Sequence, residues 1–430
     1  MARAALILNY RRTSTLAFHA LLAAIDEKRR GAELDIYFSN SAEKTIEILC
    51  AESERYQTIL CAFSFYSPDA AAAGREVSRI KEELNCKKSN HSRNIIFLAG
   101  GVHATAEPRH TLQMGFDYAA IGEGENTILT IVDAIISGVP IRTLHGMAYL
   151  DGGELVHQGA GVRGELDDFP PFPHRYKKFG PIEITRGCVY ACKFCQTPFM
   201  FKAKFRHRTI DNIKYYIGIM RENGLRDVRF VTPTSLSYGS DDETVHLTKV
   251  EELLSAANDA IGPRGRVFYG TFPSEVRPEH VTSDALRLLK KYVANDNLVI
   301  GGQSGSDEML DRMSRGHSVE SVENAVRLCR EYQFIPNVDF IFGFAGETPE
   351  SAEATVAFAE KLVSLGARVH AHSFMPLPGT PLRGASYVEL NEKLQFRLAR
   401  LVGSGEMFGQ WKRQREIAAE LKRGQVRGQV

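Results

Sequence analysis

A strand-like apolar run followed by a stretch of helical periodicity recurs along this chain, and no other feature restricts its fold as much. AALILN (4–9) reads as a buried strand, and the next helix runs from Thr15 to Lys28 with Leu16, Leu21, Leu22 and Ile25 on or near one face. ELDIYF (33–38) leads to a helix around Ala42 to Arg55, and TILCAFS (58–64) to one from Asp69 to Leu84. NIIFLAGG (94–101) leads to a short helix near Pro108 to Met114, and YAAIGEGE (118–125) to a helix from Asn126 to Ser137. This rhythm predicts a doubly wound parallel sheet, whose ligand lies outside the carboxyl ends of the strands. The stretch 146–179 reads as a linker, with a small hairpin turning at Asp151-Gly152-Gly153 and then the proline-rich ELDDFPPFPHRY, which puts the break between the halves near Asp168. From Gly180 the alternation resumes to residue 384, and 385–430 reads as a tail of two polar helices broken at Gly403-Ser404-Gly405.

Three cysteines stand on one short loop of the second half, Cys188, Cys192 and Cys195, in GPIEITRGCVYACKFCQTP. Ile182-Glu183-Ile184-Thr185 alternates like a strand and Arg186-Gly187 breaks it, so the thiols leave a strand end. A zinc site would need a fourth ligand close by, and neither a second C-x-x-C nor a spaced histidine pair follows. Iron-sulfur cubanes usually take four thiolates, so three leave one iron open to another ligand. Seven cysteines of which three cluster suit a reducing compartment better than a disulfide framework.

Composition narrows the partners. Lys+Arg 53 against Asp+Glu 52 gives a net charge of +1, so no global field draws the chain to nucleic acid or anionic lipid. No apolar run is long enough to span a membrane, and the N-terminus does not read as a signal peptide, which predicts a cytoplasmic protein. The basic run Lys202, Lys204, Arg206, Arg208, interleaved with phenylalanines, reads as a solvated face or a local anion site. Cys50, Cys61, Cys86 and Cys329 read as small apolar or incidental residues.

With Phe194 just before the third cysteine, the C-x-x-x-C-x-x-C loop resembles the motif of the radical S-adenosylmethionine (SAM) superfamily. The resemblance implies a [4Fe-4S] cluster on Cys188, Cys192 and Cys195, with SAM as cofactor chelated at the open iron and cleaved to a 5'-deoxyadenosyl radical. It also implies a partial (β/α)6 TIM-type barrel over 180–384. The block QSGSD (303–307), RGHS (315–318) and DFIFGFAGET (339–348) resembles methylthiotransferase-like and elongator-like members. By that likeness SAM would meet Phe194, Gln303, Ser304, Asp339, Ile341 and Gly343, and Met375 in the final FMPLPGTP segment. Thr232, Thr234 and Ser235 stand where the superfamily often carries a G-G-E-like segment, and Thr234 and Ser235 are assigned to SAM on position alone. Glu347 reads as a helix cap.

The first half resembles the cobalamin-binding, Rossmann-like domain that precedes the core in one class of these enzymes, over 1–145. The candidate contacts are Ser64 and Ser67, Gly100, Gly101 and His103, and Gly122, Glu123, Gly124 and Glu125, all in strand-end loops. The D-x-H-x-x-G motif of better-known cobalamin domains is absent, since the loop after the first strand reads NYRRTST, and His19 reads as a packed helix residue. The likeness implies methyl transfer to an unactivated carbon of a small molecule or peptide, with a low-potential electron donor such as flavodoxin or ferredoxin. A methylthiotransferase-like enzyme acting on RNA or protein, a cobalamin-dependent radical cyclase or rearrangement enzyme, and a non-enzymatic cofactor sensor are the alternatives. Trp411 reads as packing against the core or closing over a site.

Overall fold

The computed structural model describes residues 4–29, 34–86 and 95–427, so Glu33 and Asn94, where two expected strands begin, lie outside the described residues. The chain divides into two compact units, Met1–Gly180 and Pro181–Val430.

In the first unit, β1 (Ala4–Asn9), β2 (Leu34–Ser39), β3 (Thr58–Ser64), β4 (Ile95–Gly100) and β5 (Tyr118–Ala120) pair in parallel in the order β2-β1-β3-β4-β5. Alternation along the strands builds two cores. Ala5, Ile7, Ile59, Cys61, Phe63 and Phe97 pack with α2 (Ala42–Glu52) and α3 (Ala70–Cys86). Leu6, Leu8, Leu60, Ala62 and Leu98 pack with Phe18, Leu22 and Ile25 of one further helix and Ile128, Ile131 and Val132 of another. Those two are α1 (Thr15–Arg29) and α6 (Gly124–Ser137), while α4 (Val102–Ala106) and α5 (Pro108–Gln113) intervene in sequence. Apolar burial on both faces is what a doubly wound parallel sheet requires.

Three boundaries differ from the sequence reading. The break between units falls at Gly180, not near Asp168. The hairpin β6 (Met147–Asp151) and β7 (Glu154–His157) joins the sheet edge, β6 running antiparallel to β5, because Met147 and Ala148 are apolar and bury completely. GGVHAT is not an open loop: Gly101, at φ +89°, turns the chain directly into α4.

In the second unit, β8 (Ile182–Glu183) continues into β9 (Thr185–Arg186), which pairs antiparallel with β10 (Arg206–His207). β11 (Asp227–Val231) lies between β8 and β12 (Arg266–Phe268), all parallel. β13 (Asn297–Gln303), β14 (Ile335–Phe342), β15 (Arg368–Ser373) and β16 (Met407–Phe408) form a second parallel sheet in chain order. A single parallel bridge from Val276 to Ile300 links the segment after β12 to β13. Helices fall between the strands: α7 (Gln196–Phe201), α8 (Ile210–Glu222), α9 (Leu247–Ile261), α10 (Ser283–Tyr292), α11 (Asp307–Arg312), α12 (Val319–Glu331) and α13 (Pro349–Ser364). α14 (Glu392–Gly403) and α15 (Trp411–Arg427) close the chain. The tail is thus not purely helical, since Met407 is apolar and buried and pairs with Val369. No described helix is long and apolar enough to cross a membrane.

Candidate functional site

β9 delivers the chain to the cysteine loop through Gly187, whose φ is +83° and where a Cβ would lie 2.1 Å from the Lys204 carbonyl oxygen. Only glycine fits that turn. Cys188, Cys192 and Cys195 then pack in one cluster with Tyr190, Phe194 and Phe205, and all three are free thiols. The loop is braced from below: Lys193 N–H donates to the Met313 carbonyl at 3.1 Å, and its ammonium to that of Arg312 at 3.0 Å. Burial pushes the Cys188 thiol up to about 12 and raises that of Cys195, so both thiols hold their protons until an electrophile takes the sulfur. Among the described residues the three sulfurs do not converge within 4.8 Å, whereas sulfurs sharing one zinc ion sit about 3.8 Å apart.

A buried arginine, which the sequence reading did not single out, stands behind this loop. Arg315 donates from Nη1 to Cys192 Sγ at 3.2 Å and from Nη2 to the Gly301 carbonyl at 2.8 Å. Arg277 donates to the Arg315 carbonyl, pairs with Glu279 and lies over the Tyr190 ring at 3.6 Å. His317 sits 3.2 Å from the Gly302 carbonyl, its pKa lowered to about 3 by burial and by Arg315. The RGHS turn therefore places one fixed positive charge against a cysteine sulfur.

The residues expected at SAM divide into two sets. Phe194 packs on Phe344 at 5.5 Å and shares its cluster with Ile341, which ties the cysteine loop to the GFAGE loop. Gln303 ends β13 at φ +70°, an uncommon conformation for a residue with a side chain, beside a register shift in β13. Thr234 keeps a buried hydroxyl with no hydrogen-bond partner, and Met375 is half-buried. Ser304 and Ser235 are occupied instead: Ser304 Oγ lies 3.1 Å from Thr355 Oγ1 of α13, and Ser235 Oγ meets Ser274 Oγ and the Glu275 carbonyl. Their hydroxyls brace strand ends. Glu347 does not cap α13, whose N-cap is Thr348; its carboxylate reaches back to Gly343 N–H at 3.0 Å and closes the loop. Burial raises the Glu347 pKa to about 7.

Asp339 is also engaged. On β14, Phe340 packs on Phe358 of α13, so Asp339 and Ile341 take the opposite face, and β15 sets His370 and His372 on that same face. Asp339 Oδ1 lies 2.9 Å from His370 Nδ1. Glu275 faces this group from the next strand end, its pKa raised by desolvation and by Asp339. The basic run is mixed: Arg208 is buried, bonded to the Glu183 carbonyl at 3.0 Å and to Asn212 at 2.7 Å, so it is a brace and not a solvated residue. Trp411 packs, 3% exposed, and its carbonyl accepts from Ser373 Oγ at 2.7 Å.

In the first unit the strand order reverses between β1 and β3, and a cleft there is lined by Asn9, Arg11, Ser14, Ser64, Asp69 and Glu76. Asn9 donates to Glu76 at 2.8 Å and Arg11 to its other oxygen at 2.6 Å. At the end of β4 a Cβ on Gly101 would lie 2.9 Å from Ser64 Oγ, so the two loops touch backbone to side chain. His103 turns inward. Its ring nitrogens meet Ser67 Oγ at 3.1 Å and His110 Nδ1 at 3.0 Å, and burial lowers its pKa to about 4, so it holds the loop and presents no free nitrogen. Gly122 N–H donates to Thr105, Glu123 lies 3.9 Å from Arg163, and Gly124 and Glu125 form the first turn of α6, Gly124 pressed against Leu21.

The profile of the Radical SAM superfamily matches residues 182–359. An uncharacterized methyltransferase, PH0819 of Pyrococcus horikoshii, is 24% identical over 328 residues, covering 73% of this chain and 68% of that protein. The tRNA-2-methylthio-N(6)-dimethylallyladenosine synthase of Pseudoalteromonas translucida is 30% identical over 261 residues, 56% of this chain and 50% of its own length. This chain therefore spans about two thirds of the first relative and half of the second. Among solved structures, the radical SAM methyltransferase TsrM of Kitasatospora setae, with cobalamin and a [4Fe-4S] cluster bound, superposes with a TM-score of 0.66 at 16% identity, over 89% of this chain and 74% of that one. That likeness extends to the fold. The three-cysteine loop and the strands that follow it are thus accounted for together: residues 182–359 form a radical SAM domain.

Proposed function

We propose that the chain is a cobalamin-dependent radical SAM methyltransferase acting on a small molecule or peptide. The observation that carries this reading is the gathering of three free thiols on one braced loop with Arg315 on Cys192, in a chain whose first unit is doubly wound with glycine turns at its carboxyl ends. The residues fit the groups the reading requires. Cys188, Cys192 and Cys195 would hold a [4Fe-4S] cluster, and the orphaned Thr234 hydroxyl, Gln303, Ile341 and Gly343 stand where SAM would lie. Gly100, Gly101 and Gly122 stand at the strand-end turns where cobalamin would lie, packed closely on the chain itself, Gly101 against Ser64. When bound, the cluster supplies an electron to SAM and cobalamin supplies the methyl group.

The chain's own residues position and shield. Arg315 neutralises charge at the cysteine sulfur, Phe194 and Phe344 keep water from the loop, and Glu347 fixes the Gly343 turn. The strands of the second unit follow in chain order with helices between them, consistent with a partial barrel. A low-potential donor such as flavodoxin would deliver the electron. TsrM has been solved with tryptophan as substrate, which supports a small-molecule substrate here. The methylthiotransferase alternative needs a second cysteine cluster, and Cys50 and Cys86 are exposed while Cys61 is buried in the β3 core.

The test is anaerobic purification with iron, sulfide and cobalamin quantified, then incubation with SAM and a reductant. Bound cobalamin with formation of 5'-deoxyadenosine and methylated product supports the reading. Formation of 5'-deoxyadenosine without bound cobalamin would sink the methyltransferase assignment and leave the radical one.

A further inference from the structure

On the face of β14 and β15 turned away from α13, His370 Nδ1 lies 2.9 Å from Asp339 Oδ1 and 3.2 Å from His372 Nε2. A ring nitrogen carries either a proton or a lone pair. Protons serve both contacts only when the one Nδ1 position is shared between the carboxylate and the second imidazole, each bond being the weaker for it. A cation shared by all three donors resolves both. One donor atom from each residue lies within 4.8 Å of the others, and no second group of this kind occurs among the described residues. Neighbouring donors on a metal with bonds of about 2.1 Å at right angles are about 3.0 Å apart, which the two short edges match.

The strands produce this arrangement without a loop. Asp339 and His370 are direct partners across β14 and β15, and His372 follows two residues later on the same face. Outer partners are in place as well. The Gln414 amide of α15 lies 3.2 Å from His372 Nδ1 and accepts Ser373 N–H at 2.9 Å, while Phe408 of β16 stacks on His370 at 4.7 Å between centroids. A metal-bound imidazole needs such a partner on its other nitrogen. Ser373 N–H holds the Gln414 oxygen, so the amide presents its NH2 to His372 Nδ1 and fixes the position of the ring.

We propose that Asp339, His370 and His372 hold one divalent first-row metal ion of the zinc type, with coordination positions open to an oxygen or nitrogen donor of the substrate. Three protein ligands with an open position are the mark of a catalytic rather than a structural ion. The ion would fix and polarise a hydroxyl, carboxylate or amine of the substrate. Asp339 is then a metal ligand and does not serve SAM. The existence of the site does not depend on the radical chemistry.

The test uses the full chain with Cys188→Ala, Cys192→Ala and Cys195→Ala, which keeps cluster iron out, so a failure of the cluster assignment cannot be mistaken for a failure here. After chelation and dialysis, Zn2+ is titrated by calorimetry and Co2+ by visible absorption. The expected result is one ion per chain, with Co2+ showing a nitrogen- and oxygen-ligated spectrum, and affinity at least tenfold lower in Asp339→Asn, His370→Ala and His372→Ala. Gln414→Ala, outside the donor set, lowers affinity about tenfold and covers the case in which a strand variant does not fold. Absence of saturable binding in the parent overturns the proposal, as does stoichiometric binding undiminished in His370→Ala/His372→Ala.

Discussion

Arg315 donates from Nη1 to Cys192 Sγ at 3.2 Å and so sets a guanidinium against a thiol of the loop. A fixed positive charge there favours the added electron of a reduced cluster. Arg315→Ala is expected to lower the cluster's reduction potential by on the order of 50 mV, measured by anaerobic spectroelectrochemistry. Arg315→Lys keeps the charge but loses the fork and should fall between the two. An unchanged potential in Arg315→Ala would remove the arginine from the electron-transfer argument.

Cys192→Ala should lose the cluster's absorbance and all reductive SAM cleavage, with the fold intact by circular dichroism. An intact cluster in that variant refutes the three-cysteine assignment.

Gly187→Ala meets both a left-handed φ and a carbonyl 2.1 Å away. The turn into the cysteine loop must then shift, at about 1–3 kcal/mol. Lower iron content per chain at nearly unchanged secondary structure is the expected readout, and full iron loading would show that the turn tolerates a side chain.

Burial raises the Glu347 pKa to about 7. A carboxyl with a raised folded pKa contributes most below its unfolded value, and that contribution is lost as pH rises through about 7. Glu347→Gln should therefore gain stability on the wild type at pH 8, on the order of 1–2 kcal/mol by urea unfolding, and gain nothing at pH 5. A gain independent of pH would mean that charge is not the cause.

His103 is the opposite case, its pKa held near 4 by burial beside His110. The unfolded imidazole takes a proton near its ordinary value, so the folded state loses ground as pH falls from about 6.5 towards 4. At pH 5.5 the loss from this group is about 1 kcal/mol, and His103→Gln should flatten the acid limb of stability by that much. An unaltered acid limb would show that the ring is already protonated in the folded chain.

The alternation of strands and helices was legible because buried parallel strands are continuous apolar runs, and β1, β3 and β4 fall where AALILN, TILCAFS and NIIFLAGG put them. The cysteine spacing was legible for the same kind of reason, since it lies within one loop. What the sequence hid was pairing between distant segments. Arg315 and Cys192 are 123 residues apart, and Asp339 and His370 meet only through strand register. Nothing in the local pattern says that Ser304 turns towards Thr355, that His103 points inward, or that Met147 adds a hairpin to the sheet. A signal was present at His370 and His372, whose two-residue spacing sets both rings on one face of a strand.

β16 and α15 bring Phe408 onto His370 and Gln414 onto His372. One wall of this face is therefore written by residues 408–414, while the cysteine loop is written more than two hundred residues earlier. Selection can remodel what that wall accepts through the C-terminal segment alone, leaving the cysteine loop untouched. Exchange of residues 385–427 between relatives is accordingly a route to altered substrate range that does not disturb the cysteine loop.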